Sequence, residues 1–169
     1  MPFTVNRSLA AGSYNLREIF SGLEEVEPLI NCVGETSMLK HMLDGTRVTL
    51  KEEDGYMYVN DEDGSLVVGL DYLRTGPLDD LYLDVIHELV HVRQFLQGLD
   101  LFDRRYRYVD RPTEIEAYRC CVEEGRRIGM SEEEIAQYLY VEWITKKDHA
   151  RLLKTLGVKA LPHLPESPG

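Results

Sequence analysis

A chain of 169 residues with 43% hydrophobic and 29% charged side chains is sized for one globular core and too apolar to stay disordered. Its net charge of −11 argues against nucleic acid and against anionic membranes as partners, since both demand clustered lysine and arginine. Cys32, Cys120 and Cys121, an odd number with an adjacent pair, make a poor disulfide framework and point to a reducing compartment.

Met1 to Phe20 holds no apolar segment of the signal-peptide kind, and no stretch approaches the ~18 apolar residues of a membrane span, so the expectation is a cytoplasmic protein. Within residues 14–31, Leu16, Ile19, Phe20, Leu23 and Val26 are spaced for a helix that ends before Pro28. Residues 35–44 predict a short helix closed by Asp44-Gly45. Three segments of strand character follow: Arg47 to Glu52, Tyr56 to Asn60 and Ser65 to Leu73, with Asp54-Gly55 and Asp63-Gly64 as hairpin turns. They predict a small antiparallel meander. Thr75-Gly76-Pro77 then breaks the chain, Asp79 or Asp80 caps a helix, and the run Leu81 to Gln97 is helical up to Gly98. Further helices are expected from about Pro112 to Ile128, from a Ser131/Glu134 capping box to about Thr145, and from Asp148 to Leu156 before Gly157. The expected fold is α+β: an N-terminal helix, a small three-stranded antiparallel sheet, then an active-site helix and C-terminal helices. One domain spans 1–160, with a loose tail over 161–169.

The chemistry falls on the helix after the sheet, in His87-Glu88-Leu89-Val90-His91. Positions i and i+4 share a helix face, so the two imidazoles can hold one tetrahedral zinc ion with bonds of about 2.0–2.1 Å. Glu88 flanks that position and is suited to take a proton from a zinc-activated water and return it to a leaving amine. Ile86, Leu89 and Val90 supply buried neighbours, and two histidines and a glutamate in so apolar a helix are costly without a metal to satisfy them.

Two histidines leave the site incomplete. His41 precedes the sheet, His149 and His163 come late, and the extended metzincin spacing fails because position 97 is Gln97. The usual alternative is a carboxylate on a second helix, here within Pro112-Thr113-Glu114-Ile115-Glu116-Ala117-Tyr118. Glu114 and Glu116 point about 200° apart on a helix, so only one can face the metal. Thr113 and Glu116 read as a capping box, which leaves Glu114 on a stripe with Ala117 and Cys121.

His-Glu-x-x-His on one helix and Glu-x-x-Ala on the next, over about residues 65–128, resemble the gluzincins. The likeness is strongest to small forms: ImmA/IrrE-type peptidases, minigluzincins and the HtpX/CAAX-prenyl-peptidase catalytic core. This resemblance implies a zincin-like fold, Glu114 as third ligand, Zn²⁺ as cofactor, and hydrolysis of a peptide or protein substrate. It also implies that an edge strand, here Ser65 to Leu73, pairs with the substrate. The prenyl-peptidase branch often has Asp after the Ala, where this chain has Tyr118. Two other readings stand beside it: a regulatory or interaction protein with little general proteolysis, and a structural zinc site closed by a ligand such as Cys121.

Gln94 reads either as an orienting partner for a ligand or as an ordinary polar helix position. Tyr118, one turn from Glu114, is a candidate donor to a substrate oxyanion or a packing residue. Cys120 and Cys121 read as core residues. Tyr106-x-Tyr108 lines or covers the cleft, and Glu123-Glu124 and Glu132-Glu133-Glu134 read as solvated helix faces.

Overall fold

The computed structural model describes residues 3–52 and 55–160 and shows a mixed α and β fold of eight helices and two small sheets. Strand β1 (Thr4–Val5) opens the described chain and β2 (Gly12–Asn15) follows. The helix expected across 14–31 is instead divided. Only Leu16–Ile19 is helical (α1), Phe20–Ser21 forms strand β3 against β1, and α2 (Glu27–Val33) begins where the helix was expected to stop. Its apolar residues were read correctly, for Leu16, Ile19, Phe20, Leu23 and Val26 are all buried. Their element was misread because Gly22 takes a φ of 90°, a left-handed conformation that ends any helix crossing it. Pro28 sits in the first turn of α2, where its missing N–H costs nothing.

Helix α3 (Thr36–Gly45) agrees with its expected bounds. Strands β4 (Arg47–Lys51), β5 (Met57–Val59) and β6 (Leu66–Gly69) form, but not as a meander. The sheet has four strands in the order β2-β4-β6-β5, with β4 and β6 parallel and the other pairs antiparallel. The reason lies in the side chains. Every residue of β6 is buried, as suits an interior strand, while β5 is short and alternates, with Tyr58 outward. Edge position therefore belongs to β5, not to the segment 65–73. That segment also stops being a strand at Gly69 and continues as α4 (Leu70–Thr75). The turn between β5 and β6 ends in Gly64, whose φ is 77° and where a Cβ would lie 2.5 Å from the Phe95 ring. Asp54, of the other expected turn, lies outside the described residues, as do the tail 161–169 and His163.

Helix α5 (Leu78–Leu96) runs through the centre, with every residue from Val85 to Val92 buried. Neither Asp79 nor Asp80 caps it; its N-cap is Pro77, without a side-chain bond. A 3-10 turn (Tyr108–Asp110) leads into α6 (Pro112–Arg127), which packs along α5 through the fully buried Ala117. The Ser131/Glu134 capping box starts α7 (Glu132–Tyr138), which ends seven residues before Thr145. Thr145 instead caps α8 (Lys146–Leu156), which Gly157 closes in the left-handed region. No described helix is long and apolar enough to cross a membrane.

Candidate metal centre

Helix α5 presents His87 and His91 toward α6, and α6 presents Glu114 back from its first turn. All three are buried, at 4–6% exposure. The Nε2 atoms of His87 and His91 are 3.1 Å apart. Glu114 closes the triangle, with Oε2 3.1 Å from His87 Nε2 and Oε1 3.1 Å from His91 Nε2. Donors around a tetrahedral zinc ion with bonds of about 2.0–2.1 Å stand about 3.3 Å apart, so this spacing fits one metal ion. Nδ1 of His87, the ring nitrogen turned away from the cluster, is buried without a hydrogen-bond partner among the described residues. No fourth His, Cys, Asp or Glu among the described residues joins the group.

Glu114, not Glu116, faces the cluster. The Thr113/Glu116 capping box does not form: the helix N-cap is Arg111, and the Thr113 hydroxyl donates to the Leu101 carbonyl at 3.0 Å. Glu116 is held by other means, since Arg93 and the Gln94 amide both donate to its Oε1. Gln94 is fully buried and is far from an ordinary polar position. Its Nε2 donates to Glu116 and to the Thr113 carbonyl, so its Oε1 is left as an acceptor, 2.7 Å from His91 Nδ1. In the neutral ring that bond places the His91 proton on Nδ1 and leaves the Nε2 lone pair for the cluster.

Glu88 is 7% exposed, lines the same cleft, and has no hydrogen-bond partner among the described residues. Burial pushes its carboxyl up to about 7, against the opposing pull of His87 and His91. Burial works against protonated His91 and against charged Glu114, yet their mutual contact prevails. His91 is pushed up to about 9, and Glu114 is held well below the usual carboxylate range by bonds from His87 and His91.

Tyr118 packs its ring 4.3 Å from that of His87 and shares a 2.6 Å hydroxyl bond with Tyr108, on the 3-10 turn. Both tyrosines line a cleft of about 1460 Å³ that opens in front of the cluster, bounded by β5, α5, α6 and α7. Tyr106 is exposed and is not part of that lining. The sequence reading missed Asp84, one turn before His87, whose oxygens accept from Tyr72 and Tyr138. Its i, i+3 relation to His87 was the available signal. Cys121 lies outside the cluster and points its thiol at the Leu83 carbonyl, 3.2 Å away. Of the other histidines, His41 is exposed on α3 and His149 bonds the Ala136 carbonyl.

No family model, curated protein or solved structure matches the chain.

Proposed function

We propose that the chain is a zinc-dependent peptidase of the gluzincin type, with a zincin-like arrangement of sheet and active-site helix. The observation that supports this most is the pairing of two features on one cleft wall. Three ligand atoms are spaced for a single metal ion, and beside them stands the buried, unpartnered carboxylate of Glu88. His87, His91 and Glu114 would hold the ion. When bound, zinc supplies Lewis acidity, lowering the pKa of water and polarising a carbonyl. The ligand set argues for an open site: a structural zinc takes four protein ligands, and Cys121 is turned toward Leu83 instead.

Glu88 takes the proton of the attacking water on its carboxylate and passes it to the nitrogen of the departing amine. Tyr118 donates its hydroxyl to the substrate carbonyl oxygen once the Tyr108 bond opens. Gln94 keeps His91 in the tautomer that ligation needs. Strand β5 receives the substrate backbone. Tyr56 and Asn60 direct their main-chain groups to β6, so alternation turns the N–H and C=O of Met57 and Val59 to the open edge.

The test is Glu88→Gln. Zinc content should stay at one ion per chain, while hydrolysis of a cleaved peptide falls by about 10²–10⁴. Undiminished turnover in that variant rejects Glu88 as the base.

A further inference from the structure

The cleft in front of the ligands has carboxylates on two sides. Asp79, Asp80 and Asp84 come from the first half of α5, and Glu133, Glu134 and Glu142 from α7 and the segment after it. The chain carries 19 lysines and arginines, yet none is among the described residues that line the cleft. Hydroxyl groups reach two of these acids. Tyr72 and Tyr138 donate to Asp84, and Tyr56 donates to Glu142. Burial pushes the Asp80 carboxyl upward, and the charges of Asp84 and Asp79 add to that effect.

Across the cleft, aromatic rings stand beside Glu142. Trp143 meets Tyr56 and Tyr108 edge-on, each at 5.7 Å, and Trp143 and Tyr56 remain 55% and 47% exposed. Ring faces next to unneutralised carboxylates favour an ammonium or guanidinium group. The same cavity contains Glu88, more than nine-tenths buried and without a hydrogen-bond partner, which marks it as a place where a ligand belongs.

We infer that the cleft selects cationic peptides, taking a lysine or arginine side chain beside the scissile bond into the pocket edged by Asp79, Asp80 and Asp84. This rests on the peptidase reading above and names its substrate class. The overall charge of −11 attracts cations to every face of the molecule, so the inference requires the preference to reside in the cleft.

The test uses zinc-loaded Glu88→Gln protein and two labelled peptides of one length, bearing either lysine or glutamate on both sides of the central bond. Fluorescence anisotropy should show the lysine peptide binding about ten-fold tighter at about 50 mM NaCl, with the advantage shrinking toward about 500 mM. Adding Asp79→Asn with Asp80→Asn should remove most of that advantage. Adding Glu25→Gln with Glu27→Gln, the same change of charge outside the cleft, should leave it intact. Equal binding of the two peptides, or equal loss in both double variants, overturns the inference. The peptidase reading fails separately: zinc-loaded protein with Glu88 in place would then bind the lysine peptide and leave it uncut.

Discussion

Helix α6 buries two glutamates against α5, ten residues apart, and they have opposite company. Glu124 is fully buried and closed by permanent donors: the Tyr82 hydroxyl at 2.6 Å and the Arg127 guanidinium at 2.6 and 2.7 Å. It corrects the expectation that Glu123-Glu124 form a solvated face. Glu114 is almost as deeply buried, but its partners are two imidazoles, which become cationic only by gaining a proton or a metal ion. A buried carboxylate with its own arginine is a clamp between helices. One ringed by imidazoles on a cleft wall is balanced by a proton shared with His91, which a divalent ion can displace.

The sharpest way to break this comparison is to remove each carboxylate in turn and measure metal by mass spectrometry. Glu114→Ala should take bound zinc from about one ion per chain to near none, whereas Glu124→Gln should leave it unchanged. Zinc retained in Glu114→Ala, or lost in Glu116→Ala instead, ends the assignment. Next in size is Gln94→Ala, which frees the His91 ring: zinc affinity, read by competition with a chelator, should drop about 10–100-fold. An unchanged affinity would reduce Gln94 to a helix-packing residue.

On the clamp side, Arg127→Ala leaves Glu124 buried beside Tyr82 alone. The cost should be about 2 kcal/mol in denaturant unfolding, below the ~3–5 kcal/mol of a fully buried pair because Arg127 is 45% exposed. Zinc content should not move. The smallest effect concerns Asp84, an intermediate case held by two hydroxyls and no arginine. Burial raises its carboxyl above the ordinary 3.8, against the two hydroxyl bonds. A carboxyl raised on folding binds its proton more tightly in the folded chain, so stability is lost as pH climbs through its ordinary value. Asp84→Asn should therefore raise the Tm of the metal-free protein at pH 7, with the gain vanishing toward about pH 4. Equal melting of the two proteins at neutral pH would show Asp84 to be comfortable as an anion.

What the sequence disclosed follows the range of the forces involved. His87 and His91 were legible because one helix turn sets their spacing, and Glu114 because rotation along α6 separates it from Glu116 by about 200°. The box assigned to Thr113 and Glu116 does not form, yet Glu114, the residue it favoured, does face the two histidines; Glu116 is occupied by Arg93 and Gln94 from another helix. Asp84 went unread, Glu124 was read as solvated, and Gln94 was left between an orienting and an ordinary position, all for one reason. Their burial depends on partners 12 to 54 residues distant, and a polar residue on a helix carries no local sign of such partners. The sheet failed differently. Hairpin turns suggested neighbours in chain order, but the unbroken apolar run of β6 required an interior place, which sent β5 to the edge.

Gln94 has one more effect. By bonding His91 on its own helix and the Thr113 carbonyl on α6, it makes the docking of the two helices and the orientation of a ligand a single event. If the proposed zinc ion binds, its occupancy and closure of the α5–α6 seam are thermodynamically linked, and each strengthens the other. Amide protons in the first turn of α6 should exchange faster once a chelator has stripped the ion, while those around Glu124 keep their protection. On the proposed zinc reading, the seam would report metal supply as well as support the fold.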